Sequence, residues 1–395
     1  MSSLNITILF AGDYHIYGNY EKVKGKFDDF IKSVPQHDLV DDELAFIVRD
    51  SDFSVFNLED PISEERNGIS KYGPHGVGSK ECLIPIQKVG FNMATFATNH
   101  TYDMGDEGIL TTISECRKSR IDVIGAGLTK NDARKIFYKF FNNIKVAFLN
   151  YSRVEFNEVT SSHGGANPLN TIDNVRDIIE AKRNADFVFV IVHEGLDVNP
   201  LPYPELVKQM RFYADMGADA ILLHHSRVVS GYEVYNDTPI FYGLGNIIHL
   251  TRNVLEHEGL FIKFSISNLK NLTFEIIPVE LDYNRIKVCL AKGKRADEIL
   301  NKIDKLSKII SNSDELELEW KNFVSSKKEQ YLSIVSGHPK VIYRISKKLG
   351  LLKIYYRFLI ANKTKFYSKL NLLRCMAHYE VTKRSITNVI EEGLK

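Results

Sequence analysis

From Ile6 to about residue 250, short continuously apolar runs alternate with segments whose apolar residues recur at helical spacing. The runs Ile6–Ala11, Phe53–Leu58, Met93–Ala97, Val123–Gly125, Val146–Asn150, Phe187–Val192 and Ala220–Leu223 predict strands. Several show no polar alternation, as expected of strands covered on both faces. Glu107–Ser119, Asn174–Arg183 and Pro204–Met216 predict helices between them. This alternation predicts an α/β layered fold. A β-rich stretch follows, Gly231–Tyr235, Ile240–Tyr242, Leu260–Ser267 and Leu272–Leu281, with hairpin turns at Asn236-Asp237 and from Asn268 to Asn271. Beyond Asp282 the period is helical: Ile299–Ile310 and Leu316–Ile334, breaks at Gly337 and Pro339, then Val341–Ile360 and Lys365–Tyr379. The pattern divides the chain into an α/β domain at 1–282, a helical connector at 283–320 and a basic helical region at 321–395.

Composition excludes whole classes. With 44% hydrophobic and 26% charged residues among 395, the chain is neither disordered nor a coiled-coil rod. It has no run of about 18 apolar residues to span a bilayer. Met1 to Asn5 lacks a basic region leading into an apolar one, so no secretory signal is expected. The four cysteines, Cys82, Cys116, Cys289 and Cys375, form no CxxC and fit free thiols in a reducing cytoplasm. The net charge of +1 conceals an asymmetry. Residues 321–395 hold 16 basic and 4 acidic side chains, a net +12, which leaves −11 for residues 1–320. A basic tail on an acidic body suggests an anionic contact: a membrane surface, a polyanionic glycan, nucleic acid or the body itself. No nucleic-acid-binding module is legible.

The chemistry lies where polar residues meet strand ends. Five apolar strands run into Asp13 and His15, Glu59, Asn99 and His100, His193, and His224-His225. In layered α/β folds the carboxyl ends of strands share one rim, where ligands bind. Taken singly, each residue has an ordinary role: Asp13 as a turn or cap, Asn99-His100 as a polar turn, His193 as a hydrogen-bonded core histidine. Together, carboxylate, amide carbonyl and imidazole suit Mn, Fe or Zn. Two such ions about 3.5–4 Å apart clamp the attacking and leaving oxygens of a phosphoester. His100, next to Asn99, is placed to act as a general acid or to stabilise a leaving group.

The order and spacing of these stretches resemble the CapA-type capsule and poly-γ-glutamate synthesis proteins, within the calcineurin-like metallophosphoesterase superfamily. The resemblance rests on Ala11-Gly12-Asp13, Phe56-Asn57-Leu58-Glu59, Gly73-Pro74, Ala97-Thr98-Asn99-His100-Thr101-Tyr102-Asp103-Met104-Gly105, Gly108-Ile109-Leu110 and Gly125-Ala126-Gly127. It continues through Val192-His193-Glu194-Gly195, Gly217-Ala218-Asp219, Gly231-Tyr232-Glu233-Val234-Tyr235 and Pro239–Asn246, covering roughly residues 5 to 250. It implies a four-layer α/β/β/α sandwich. It also implies that Asp13, His15 and Glu59 serve one divalent ion and Asn99, His193 and His225 another, with Asp13 or Glu59 bridging. His100 is then the acid, and Asp103 either orients it or caps the following helix.

Two departures stand out. The family carries His-x-His after the Gly-Ala-Asp strand, where this chain has His225-Ser226-Arg227. Guanidinium has no lone pair for a metal but binds phosphate or carboxylate. One or two ions are therefore expected, with Arg227 gripping an anionic phosphorylated or carboxylated substrate. The aromatic residue often found after the family's His193 equivalent is also absent. Gly243-Leu244-Gly245-Asn246 reads equally as an anion-binding loop or a tight turn. Lys71 to Gly76 reads as a surface loop or a lid bringing Lys71 and His75 to substrate. Two functions follow: metal-assisted hydrolysis or transfer in the biosynthesis of capsule, polyglutamate or exopolysaccharide, or a catalytically silent factor that recruits a polymer synthase to a membrane. The tail of Arg344–Lys365, with basic, leucine and aromatic residues at helical spacing, fits peripheral contact with an anionic membrane. It equally fits a packed appendage or a dimerisation arm.

Overall fold

In a computed structural model, residues 6–16, 26–34, 36–268, 271–336, 340–351, 354 and 363–393 are described. The expected breaks at Gly337 and Pro339, the middle of the Asn268 to Asn271 turn, and most of the helix expected over 352–360 lie outside these residues. The chain divides into two units, Met1–Glu317 and Leu318–Lys395.

The first unit is built on two sheets. In one, β1 (Ile6–Tyr14), β2 (Phe53–Leu58), β3 (Met93–Thr95) and β4 (Asp122–Ile124) run parallel. β14 (Glu258–Asn268), β15 (Asn271–Asp282) and β16 (Lys287–Leu290) continue it antiparallel from β1, and β13 (Asn246–Ile248) pairs with the end of β1. In the other sheet, β7 (Ile144–Ser152), β9 (Phe187–His193), β10 (Ala220–His224) and β12 (Thr238–Phe241) are parallel. β6 (Phe137–Phe141) and β11 (Tyr232–Tyr235) flank them antiparallel. A small ribbon pairs β5 (Ala126–Gly127) with β8 (Gly165–Ala166).

Period-2 side-chain alternation assigns each strand two buried faces. Ile6, Ile8 and Phe10 of β1 face the core between the sheets, where they meet Phe187, Phe189 and Ile191 of β9. Leu9 and Ala11 face outward, into a core shared with Leu44 and Val48 of α2 (Asp42–Asp50), Leu83 and Ile86 of α3 (Leu83–Val89) and Cys116 of α4 (Gly105–Lys118). Val188, Val190 and Val192 face the opposite way. They pack with Ile178 of α6 (Thr171–Asn184) and Leu206 and Met210 of α7 (Pro204–Asp215). The layers are thus helix, sheet, sheet, helix. Helices α1 (Lys26–Ser33) and α5 (Lys130–Ala133) complete the first 282 residues.

The chain from 283 to 320 adds the edge strand β16 and α8 (Gly293–Ser311). Helix α8 packs against β11 of one sheet and β15 of the other, and buries Ile299 and Ile303 in the inter-sheet core. Ser307 Oγ accepts the Tyr232 amide (2.9 Å), so the helix also satisfies the edge of β11. Helix α9 (Ser313–Ser336) leads into the second unit, which contains α10 (Lys340–Lys348), α11 (Lys363–Arg374) and α12 (Met376–Gly393). No helix among the described residues is long and apolar enough to cross a membrane. The four cysteines are unpaired.

Phe189 lies at the centre of the inter-sheet core, stacked on Phe10 (5.2 Å between ring centroids) and Phe148 (5.7 Å) and edge-on to Phe264 (5.1 Å). Phe189→Ala is expected to lower the unfolding free energy by about 3–5 kcal/mol, seen as a lower urea midpoint at unchanged slope. A loss under about 1 kcal/mol would show that the sheets close over the void.

Candidate metal centre

The parallel strands of both sheets end at the same rim. Register sets Asp13 opposite Asn57 in one sheet and His193 opposite His224 in the other. β1 reaches its position through a close crossing. A Cβ on Gly12 would lie 2.3 Å from Gly245 O, while the Asp13 amide donates to that oxygen at 2.9 Å. Gly245 itself has φ +65°. The Gly243–Asn246 stretch therefore serves backbone packing against β1.

Four donor atoms converge at the rim. His193 Nε2 lies 3.0 Å from Asn99 Oδ1, 3.2 Å from His225 Nδ1 and 3.4 Å from Glu59 Oε2. Glu59, His193 and His225 are all buried. Ligands bonded at about 2.0–2.2 Å to one ion are themselves about 3.0–3.5 Å apart, along the edges of an octahedron or tetrahedron. The spacing and the oxygen–nitrogen chemistry of this set fit a divalent transition ion. Among the described residues it is the one group of three or more His, Cys, Asp or Glu side chains with metal-ligand spacing.

The electrostatics match. Burial alone would raise Glu59, but His193, with His100 and His15 behind it, holds its carboxyl well below the usual range. Burial alone would lower His193, but Glu59 outweighs it and raises the ring above its ordinary value. Burial, then the charges of His193 and Arg153, keep His225 well below the usual histidine range. His225 Nε2 accepts from Arg153 Nη1 (2.7 Å) and lies 3.4 Å from Asp197 Oδ1. Guanidinium only donates, so the contact with Arg153 selects the Nδ1–H tautomer. Ligation through Nδ1 requires the one in which Nε2–H faces Asp197.

The other sequence-selected residues have different partners. Asp13 accepts from His224 Nδ1 (2.8 Å), Asn57 Nδ2 (3.1 Å) and the His225 amide (3.2 Å). His15 Nδ1 is 2.7 Å from Asp60 Oδ2, and its ring meets His249 edge-on at 4.3 Å. His100 Nδ1 is 2.7 Å from Asp103 Oδ2. Asp103 also accepts from the Gly76 amide (2.6 Å) and from Lys71 Nζ. Helix α4 has no side-chain cap, so this carboxylate orients His100 and anchors the loop. Lys71 is buried on Asp103, and His75 Nε2 bonds Ile69 O (2.5 Å), which ties the loop to the body of the protein. Arg227 Nη2 is 3.1 Å from Asp197, and its Nε is 3.7 Å from Glu256 Oε2. His225 and Arg227 have φ of +89° and +59°, left-handed values that cost non-glycine residues on the order of 1–3 kcal/mol each.

Sequence reasoning noted His224 beside His225 without giving it a role, and gave none to Asn57, Arg153 or the His249–Glu256 pair. A signal existed for two of them. His224 is the last residue of β10, opposite His193, and Arg153 directly follows β7, a sixth strand that ends at the rim.

The sequence matches known proteins over the part of the chain that builds the rim. The family described as bacterial capsule synthesis protein PGA_cap matches residues 7–250. The chain is 29% identical over 239 residues to the PGA biosynthesis protein CapA of Bacillus subtilis (strain 168), covering 60% of this chain and 63% of the relative. It is 24% identical over 310 residues to the capsule biosynthesis protein CapA of Bacillus anthracis, covering 76% and 72%. Among solved structures, the calcineurin-like phosphoesterase YfkN of Bacillus subtilis aligns with a TM-score of 0.35 at 12% identity, over 80% of this chain and 98% of that one. The match over 7–250 includes every strand that carries the converging donors, and the chain belongs to the bacterial capsule synthesis protein PGA_cap family.

Proposed function

We propose that this protein is a metal-dependent hydrolase or transferase of the phosphoesterase type, acting in the biosynthesis of capsule, poly-γ-glutamate or a related surface polymer. The convergence of Glu59, Asn99, His193 and His225 on one buried point carries the reading. These four residues would hold the ion, with Mn, Fe or Zn as the classes suited to nitrogen and oxygen donors. A divalent ion bound there supplies Lewis-acid polarisation of a phosphoryl or acyl oxygen. The chain's own residues do the rest. Asp103 fixes the ring of His100 through Nδ1, which leaves Nε2 to exchange a proton with a leaving group. Arg227 offers a guanidinium to an anionic phosphorylated or carboxylated substrate. The polymer role rests on the names of the CapA relatives.

A second reading draws on the basic region. In α10 and the turn that follows it, Ile342, Ile345 and Leu349 recur at i, i+3 and i+7, each exposed, while Arg344, Lys347 and Lys348 of the helix occupy the opposite side. That arrangement suits a helix lying on an anionic membrane surface. It would keep the protein on the cytoplasmic side, peripheral to the membrane and beside a polymer synthase, whether or not the rim is catalytic.

Purified protein is expected to retain Mn, Fe or Zn and to cleave a generic aryl phosphate. His193→Ala should reduce both metal affinity and turnover by more than the about 10–100-fold that follows loss of an outer hydrogen bond. Undiminished activity in that variant would remove the metal reading. Because the raised pKa of His193 makes a proton compete with the ion, affinity should fall about tenfold per pH unit as pH drops below that pKa, and level off above it. A pH-independent affinity from pH 5 to 8 would contradict it. For the tail, binding to phosphatidylglycerol vesicles should exceed binding to phosphatidylcholine vesicles. Lys347→Glu with Lys348→Glu should weaken it by about 30-fold or more, at about 1 kcal/mol per lost cation. Equal binding to both vesicle types would overturn the membrane contact.

A further inference from the structure

The rim has two unlike halves. One holds the lone-pair set of Glu59, Asn99, His193 and His225. The other holds Asp13, His15 and His249, with a fixed cation beside them. His15 Nδ1 lies 2.7 Å from Asp60 and His249 Nδ1 2.8 Å from Glu256, carboxylates that orient the two rings. Asp13, which has about four lone-pair directions, receives three protein donors. A permanent cation is already present there. Arg227 Nη2 lies 3.1 Å from Asp197, which also faces His225 of the first half, and its Nε lies 3.7 Å from Glu256, the partner of His249 in the second. Its backbone is fixed: Asn246 Nδ2 donates to Arg227 O (2.9 Å) and to Glu256 O (2.8 Å).

Guanidinium stays protonated at any working pH and has no lone pair to offer a metal. A second dication in this half would lie against a fixed positive charge inside a desolvated pocket, where repulsion is least screened. The charge of Arg227, rather than any lack of donor atoms, is therefore what this half sets against a second ion. We infer that the rim holds a single divalent ion, in the Glu59–Asn99–His193–His225 set, and that the Arg227 guanidinium is the built-in second positive charge facing an anionic substrate beside it. This inference rests on the metal-dependent reading above and adds the number of ions and the role of the arginine. The substrate group implied is one whose anionic oxygens bridge an ion and a guanidinium, a phosphate or a carboxylate.

The test is metal stoichiometry on the full chain, equilibrated with excess Mn²⁺, desalted and measured by mass spectrometry, with thermal unfolding as the check on folding. One ion per wild-type chain and two per Arg227→His chain support the inference. Two ions in wild type overturn it and leave the metal-dependent reading intact, whereas no ion in wild type removes both. One ion in both proteins overturns the assignment to Arg227. If Arg227→His fails to fold, His15→Ala decides. A one-ion rim keeps its single equivalent in that variant, and a rim that uses His15 as a ligand loses metal.

Discussion

His193 Nε2 meets Asn99 Oδ1, His225 Nδ1 and Glu59 Oε2, from three other strand ends, at 3.0–3.4 Å. Without an ion, a proton on His193, favoured by Glu59, can hold these groups together, and an ion bound there would take that proton's place. Much of the surrounding structure serves to hold that arrangement. Asn57 bridges Asp13 and Glu59, Arg153 and Asp197 bracket His225, and Asp13 grips both the His224 ring and the His225 amide. The two left-handed residues after β10 serve the same arrangement. They turn the chain sharply enough to aim His225 and Arg227 at the rim, and the surrounding hydrogen bonds sustain that strain.

The scaffold makes the arrangement possible because both sheets direct their parallel strands to the same rim. An inter-sheet core of phenylalanines fixes the distance between the sheets, and that distance decides whether His193 and His225 from one sheet meet Glu59 and Asn99 from the other. Helix α8 closes the open side of this core by bridging β11 and β15. Packing far from the rim therefore bears directly on its geometry.

The parallel strands were legible because both of their faces are buried, so each reads as an unbroken apolar run. β2 matches its expected span, Phe53–Leu58. What escaped is short or half-exposed. Helices α2 and α3 have nine and seven residues, and β6 is only partly buried along most of its length. β16, with four residues, looked like part of a connector. At the rim, Glu59, Asn99, His193 and His225 were visible as polar residues ending apolar strands. Residues that act on other side chains were harder to see: Asn57 and the His249–Glu256 pair gain meaning only from contacts across the fold. Nor does sequence show that the oxygens of Asp13 are claimed by His224 and Asn57, or that Lys71 is buried on Asp103 and ties its loop down.

The most direct test of the account is where an ion sits. Crystals of the protein equilibrated with Mn²⁺ and measured at the manganese absorption edge would show anomalous density at any bound ion. The account predicts a peak among Glu59, Asn99, His193 and His225, at about 2.0–2.4 Å from each ligating atom. Saturating manganese with no peak at that position, or a peak held by other side chains, would contradict it.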